Sequence, residues 1–231
     1  MVDLIPLRPL YKYETLARHD GSEGRTYGDQ KLPSVTRILD ATKDKAKLDE
    51  WVQRVGKDEA DRIKNTAATI GTHMHSVIER MVAFRDLGRP TNWEMIKGYE
   101  MGYRLINEQF RDINEIWGSE VTLFIPNRYA GTTDMVGVYK GKSAIIDFKQ
   151  SNKPKRHEWI MDYFHQLSAY ALAHDYQFGT EIEMGVVMMA MQSGGTQVFT
   201  TTGREFSQYK TGWLERVENY YRNMASNGNI R

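Results

Sequence analysis

From Lys45 to about Phe84, apolar residues recur three or four positions apart: Leu48, Val52, Val55, Ile63, Ala67, Ile70, Met74, Ile78 and then Met81 or Val82. That is the period of a helical segment with one buried face, and Gly56 and Gly71 are the two places where it could break. A further helix is predicted from Trp93 to about Ile113, with Trp93, Ile96, Tyr99, Tyr103, Ile106 and Phe110 on one face. After Gly118 the period shortens to that of strands, in "EVTLFI", "YAGTTDMVGVY" and "SAIIDFKQ". A helix from about Glu158 to His174 follows, then the strands "EMGVVMMAMQ" and "GTQVFTTT", then an amphipathic helix from Arg204 to about Met224. Near the start, "YKYETLARHDGSEGRTYGDQ" alternates aromatic and polar residues around the turn-forming "DGSEG", as a β-hairpin does. In "LPSVTRILDAT", Ser34 is placed after Pro33 to cap a short helix. This order predicts a single α/β or α+β domain with a central mixed sheet. Residues 1–115 form its N-terminal hairpin and helical part, and residues 116–231 its sheet-bearing core.

Composition narrows the chemistry. The chain has 231 residues, 40% apolar and 26% charged, the balance of a globular protein. Its start lacks an apolar run of signal-peptide length, and no stretch approaches the roughly 18 apolar residues that span a bilayer. A cytoplasmic location without a membrane partner is the expectation. The absence of cysteine excludes disulfides, zinc–thiolate sites, a cysteine nucleophile and a cysteine-ligated iron–sulfur cluster. The net charge of +1 neither demands nor forbids a nucleic acid, because phosphate binding depends on where basic residues lie.

The stretch "AIIDFKQ" puts Asp147 and Lys149 two residues apart, on one face of a strand whose start reads as buried. If Lys140-Gly141 closes a two-residue hairpin, residue 139 pairs with 142 and Asp134 lies across from Asp147. Like charges at directly opposed positions are destabilising unless something compensates. A divalent cation is the natural compensator, and hard oxygen ligands suit magnesium or manganese. Two carboxylates, an ammonium and such a cation are the parts that phosphodiester hydrolysis needs. Taken alone, Asp-x-Lys is far more often a buried ion pair in a sheet. Upstream, His75 and Glu79 stand four apart on one helical face, with His73 pointing elsewhere. Downstream, Gln166 and Tyr170 stand four apart on the next helix. By themselves these are also the patterns of a surface contact and of a core tyrosine.

In order along the chain, Gly71-Thr72 leading to His75 and Glu79, Gly131-Thr132-Thr133-Asp134, Asp147-Phe148-Lys149, and Gln166 to Tyr170 resemble the successive motifs of RecB-like nucleases in the PD-(D/E)xK superfamily. Within it, the mitochondrial genome maintenance exonucleases and their compact phage-encoded relatives share the early "PSVTRIL", the strand entry "SEV", "YAGTTD" and "DFKQSNKPK". The likeness covers roughly residues 33–175. It implies a restriction-endonuclease-like core in which His75, Asp134, Asp147 and the backbone carbonyl of Phe148 bind magnesium or manganese. Lys149 would be the catalytic lysine, Gln166 and Tyr170 would orient the site or touch the substrate backbone, and Glu79 would support the metal or its water. Gln150 departs from the pattern, standing where threonine is commoner. Without cysteines, the cluster-bearing branches of the superfamily do not fit. The activity implied is a metal-dependent exonuclease acting on ends of single-stranded or frayed DNA in replication, recombination or repair, with any helicase or recombination partner on a separate chain. The alternatives are a structure-specific endonuclease and a non-catalytic DNA-binding accessory module.

Basic residues supply candidate substrate contacts. Lys153, Lys155 and Arg156 follow the Asp-x-Lys strand, and Arg54, Lys57, Arg62 and Lys64 form a second set before His75. Trp51, Tyr129, Trp159 and Tyr163 are candidates to stack on unpaired bases, although such residues are more often core.

Overall fold

The computed structural model describes residues 6–18 and 24–226. Near the N-terminus, β1 (Ala17–Arg18), β2 (Arg25–Tyr27) and β3 (Gln30–Leu32) form a small antiparallel sheet. Its β1–β2 pairing is the expected hairpin, although residues 19–23 of the turn lie outside the described residues. The large sheet has the order β4 (Ile113–Ile125), β5 (Tyr129–Tyr139), β6 (Lys142–Ser151), β7 (Met184–Met191) and β8 (Thr196–Thr202). Only β6 and β7 run parallel, because the chain crosses between them through helix α5 (Met161–Phe178). The result is the expected mixed sheet. All eight residues of β7 are buried, which is why its sequence reads as an unbroken apolar run rather than an alternation.

Side chains on the two faces of the sheet alternate between two cores. Val136, Ile145 and Val187 pack under α1 (Val35–Thr42), α5 and α6 (Gly203–Ser226). Met135, Ile146, Phe148 and Val186 pack under α3 (Lys57–Phe84) and α4 (Trp93–Gln109). Helix α1 is capped as its sequence predicts, with the Ser34 hydroxyl accepting from the Arg37 N–H at 3.0 Å.

The details that differ from the sequence reading have local causes. Gly56, at φ +86°, separates α2 (Ala46–Val55) from α3, but α3 runs through Gly71 unbroken. A mid-helix glycine costs only about 1 kcal/mol, and the burial of Ile70 and Met74 beside it outweighs that. Helix α4 ends at Gln109, and Ile113 opens β4 instead of closing the helix. Irregularities in the β4–β5 register between Ile113 and Gly118 hide the strand period in that stretch. The buried face of α4 is also shifted: Gly98, Met101, Gly102, Leu105 and Ile106 are inside, whereas Trp93, Ile96 and Tyr103 are exposed. A Cβ on Gly98 would lie 2.5 Å from the Cβ of His73 and 2.8 Å from the Ile70 carbonyl oxygen. The close crossing of α3 and α4 therefore depends on glycines, to which a hydrophobicity pattern is blind.

Candidate active site

The site begins where two strands part. Lys140 and Gly141 both take positive φ, as a two-residue hairpin turn requires. From there β5 and β6 pair in the expected register, from Tyr139↔Lys142 to Met135↔Ile146. The ladder then stops, one pair short of Asp134 and Asp147. Beyond that point β5 continues with β4, while β6 continues with β7. Asp134 takes over the missing ladder contact, its Oδ2 accepting from the Phe148 N–H at 2.7 Å. Parting the strands lets groups from both faces of the sheet converge. By alternation Asp147 and Lys149 share the face of Ile145, towards α5, whereas His75 arrives on α3 from the other side.

The convergence forms a cleft of about 670 Å³ lined by His75, Glu79, Glu120, Asp134, Phe148 and Lys149, with Arg18 and Tyr163 at its walls. His75 Nδ1 lies 3.4 Å from Asp134 Oδ1, and Lys149 Nζ lies 2.5 Å from Asp147 Oδ2. Asp147 is 2% exposed and does not line the cleft itself. Gly71 and Thr72 do line it, so the small residues of α3 leave room over the site. Glu79, one turn beyond His75, is exposed towards the same space.

Glu120 was not singled out by the sequence reading. Ser119↔Met135 and Val121↔Thr133 flank it in the β4–β5 ladder, which leaves Glu120 opposite Asp134. Its φ of 52° is left-handed, a conformation that costs a non-glycine residue about 1–3 kcal/mol and is found mostly where surroundings impose it. Among the described residues, His75, Glu120 and Asp134 are the group whose ligand atoms, one from each, all lie within 4.8 Å of one another. Counting from a two-residue turn at "NR", as applied to Lys140-Gly141, would set Glu120 across from Met135; the turn instead takes three residues, 126–128, with Ile125 paired to Tyr129, and that extra residue brings Glu120 opposite Asp134.

Electrostatics describe a site short of positive charge on one side. Glu120 keeps part of its side chain exposed, but the withdrawal of its carboxyl from water inside the cleft pushes it up to about 7, with Asp134 adding to the effect and His75 opposing it. Burial likewise raises Asp147 to about 6, against the pull of Lys149. Asp134 is lowered: burial works against this, but His75, Lys149 and the Phe148 N–H together outweigh it. Lys149 is raised in spite of its burial by Asp147 and Asp134, so it stays an ammonium. An imidazole and two carboxylates, one of them ionising only against resistance, match the donor chemistry of a divalent cation site.

The Glu120 shift has a consequence for stability. An acid whose pKa is raised on folding costs stability once ionised, beginning near its unfolded value and in full above its folded one. For Glu120 that window runs from about 4.5 to about 7. Glu120→Gln in chelator-treated protein is expected to raise the melting temperature at pH 8 and to change it much less at pH 5. Equal gains at both pH values would contradict the ionisation account.

The remaining sequence-singled residues fall into three places. Tyr170 is buried, with its hydroxyl beside Gly131, where a Cβ would lie 2.8 Å from that oxygen. Gln166 neighbours Tyr170 one turn back on α5 and lines the neighbouring cavity. Lys153, Lys155 and Arg156 lie in the loop after β6 and do not line the cleft. At roughly 3.3 Å per strand residue, Ser151 is already about 7 Å beyond Lys149. Arg156 stacks its guanidinium 5.3 Å from the ring of Trp159, which is exposed. Tyr129 is core, its hydroxyl donating to the Ala169 carbonyl at 3.0 Å, and Trp51 is half-buried. Arg54, Lys57, Arg62 and Lys64 are exposed, and of these Lys64 lines the neighbouring cavity.

No helix among the described residues is long and apolar enough to cross a membrane. No family model matches the chain. It is 28% identical over 204 residues to human mitochondrial genome maintenance exonuclease 1, covering 82% of this chain and 58% of that protein. The proteins of the same name from Xenopus tropicalis and Mus musculus are also 28% identical, with 82% of this chain covered in each case. The chain thus spans a little over half the length of these curated relatives. A crystal structure described as an exonuclease from Eubacterium rectale overlays with a TM-score of 0.48 at 12% identity, covering 72% of this chain and 69% of that one, too loosely to bear on function. Over most of its length, the chain is similar to the mitochondrial genome maintenance exonucleases, in line with the RecB-like nuclease resemblance that its ordered motifs carry.

Proposed function

We propose that this protein is a metal-dependent DNA exonuclease that hydrolyses phosphodiester bonds from the ends of single-stranded or frayed DNA, serving replication, recombination or repair. The observation that carries this reading is the parting of β5 and β6, which gathers Asp134 and Lys149 with His75 and Glu120 around one cleft, Asp147 lying buried against Lys149. His75, Glu120 and Asp134 would hold a magnesium or manganese ion, which when bound supplies a Lewis acid for the phosphoryl oxygen and a water of lowered pKa. Asp134 has two tasks, since one oxygen faces His75 and the other fixes the backbone of Phe148. Lys149 stabilises the negative charge that grows at phosphorus or orients the attacking water, and Asp147 holds its ammonium in place. Glu79 faces the cleft from α3, where it would support the attacking water, while Gln166 and Tyr170 would position the wall behind Asp134.

The exonuclease reading makes a free end the point of entry. A single strand is already unpaired, whereas a duplex must be opened at roughly 1.4 kcal/mol per base-pair step. Magnesium or manganese is expected to support degradation of linear single-stranded DNA at low salt, with a single-stranded circle of the same sequence left intact. Equal loss of the circle would replace this reading with the endonuclease one. Tight binding without cleavage of either would replace it with the accessory module.

A further inference from the structure

The catalytic cleft does not end at the metal-ligand cluster. A second cavity, of about 870 Å³, adjoins it, and Tyr163 lines both. Where the first cavity is lined by carboxylates, this one is lined by Arg37, Lys43, Lys45 and Lys64, with Gln166 beside Tyr163. Its two acids are already neutralised: Asp40 lies 2.7 Å from Lys43 and 3.1 Å from Lys45, and Asp162 lies 2.7 Å from Arg216. Arg37 and Lys64 have no ion-pair partner among those found between the described residues. Lys64 also belongs to the face of α3 that lines the catalytic cleft. It precedes His75 by eleven positions, close to three whole turns and about 16 Å of helix.

We infer that this second cavity is the phosphate-binding track of the substrate strand, with Arg37 and Lys64 gripping phosphates remote from the cut and Tyr163 stacking under a base at the junction. The inference rests on the nuclease reading and adds to it which way the strand leaves the site. The ligand is single-stranded DNA: a flexible unpaired backbone can follow a cavity with cations on its wall, and an aromatic ring where it meets the cleft suits an exposed base. Lys149 Nζ lies over one face of the Tyr163 ring, 5.2 Å from its centroid, so a base stacked on the opposite face would sit close to the reacting phosphate. The track also differs from the loop carrying Lys153, Lys155 and Arg156, which adjacency in sequence had favoured and which does not line either cavity.

The test uses the full chain with manganese and two oligothymidylates, a trinucleotide and one of about 16 nucleotides, near the upper site size of a single binding domain. Arg37→Gln/Lys64→Gln is expected to raise KM on the longer strand about tenfold while changing kcat/KM on the trinucleotide less than twofold. Loss of two phosphate contacts should also flatten the dependence of log kcat/KM on log salt concentration for the longer strand by about 1.4. Tyr163→Ala should weaken use of the longer strand, with Tyr163→Phe restoring it. Lys153→Gln/Arg156→Gln serves as the comparison and should leave the salt slope unchanged. An unaltered KM and slope in Arg37→Gln/Lys64→Gln, or equal losses on both lengths, would overturn the track while leaving the nuclease reading in place. Failure of the parent protein to cut either strand would instead overturn the nuclease reading.

Discussion

Lys149→Ala and Asp147→Asn are each expected to slow DNA hydrolysis by a hundredfold or more without unfolding the protein. The ammonium of Lys149 is the cation that the chain itself supplies on the α5 side of the cleft, and it lies 2.5 Å from Asp147. Removing one preorganised group that stabilises transition-state charge commonly costs on the order of a hundredfold or more. Asp147→Asn acts through its partner. The amide keeps the size of the side chain but removes the charge that fixes the ammonium, and Asp147 is buried too deeply for water to take its place. Single-turnover hydrolysis of end-labelled linear DNA reads the loss, and circular dichroism reports whether the fold persists. Parent-like rates in either variant would remove Lys149 and Asp147 from the chemistry.

Asp134 should separate catalysis from structure. Both Asp134→Ala and Asp134→Asn are expected to abolish measurable hydrolysis, because each removes the charge shared by His75 and the proposed metal site. Their stabilities should differ. The asparagine side-chain oxygen can still accept from the Phe148 N–H, whereas alanine leaves that donor unpaired at a cost of about 1–3 kcal/mol. The carboxyl of Asp134 is held below its ordinary range, so its ionic contribution is present above the unfolded pKa and fades as the pH falls through the folded value. Urea unfolding at neutral pH and at pH 3 should therefore show the alanine variant losing more, relative to the parent, at neutral pH. Equal stability of the two variants at neutral pH would mean that the bond to Phe148 does not hold the parted strands.

Much of the core was legible because its signals are local. Alternation in "SAIIDFKQ" put Asp147 and Lys149 on one face, and the two-residue turn fixed which residue of β5 faces which of β6. The same period arguments found α1, α3, α5 and α6, since each buries a stripe whose spacing is a property of the helix alone. Tertiary structure decided what those arguments could not reach. Counting hairpin residues sets Asp134 across from Asp147 but cannot show that the ladder breaks there, because the break depends on β4 and β7 drawing the two strands apart. Glu120 joined the site through a left-handed backbone in a strand whose irregular register hides its beginning. The face of α4 was displaced by Gly98 and Gly102, whose value is the absence of a side chain where two helices cross. Nearness in sequence singled out Lys153, Lys155 and Arg156, whereas nearness in space brings Arg37 and Lys64, from two separate helices, to the wall of the cavity beside the cleft. The sequence alone determined most of the elements, the β5–β6 register and His75, Asp134, Asp147 and Lys149 as candidates, though not Glu120. Which of them share one space was decided by packing between segments far apart in the chain, and no local period encodes that.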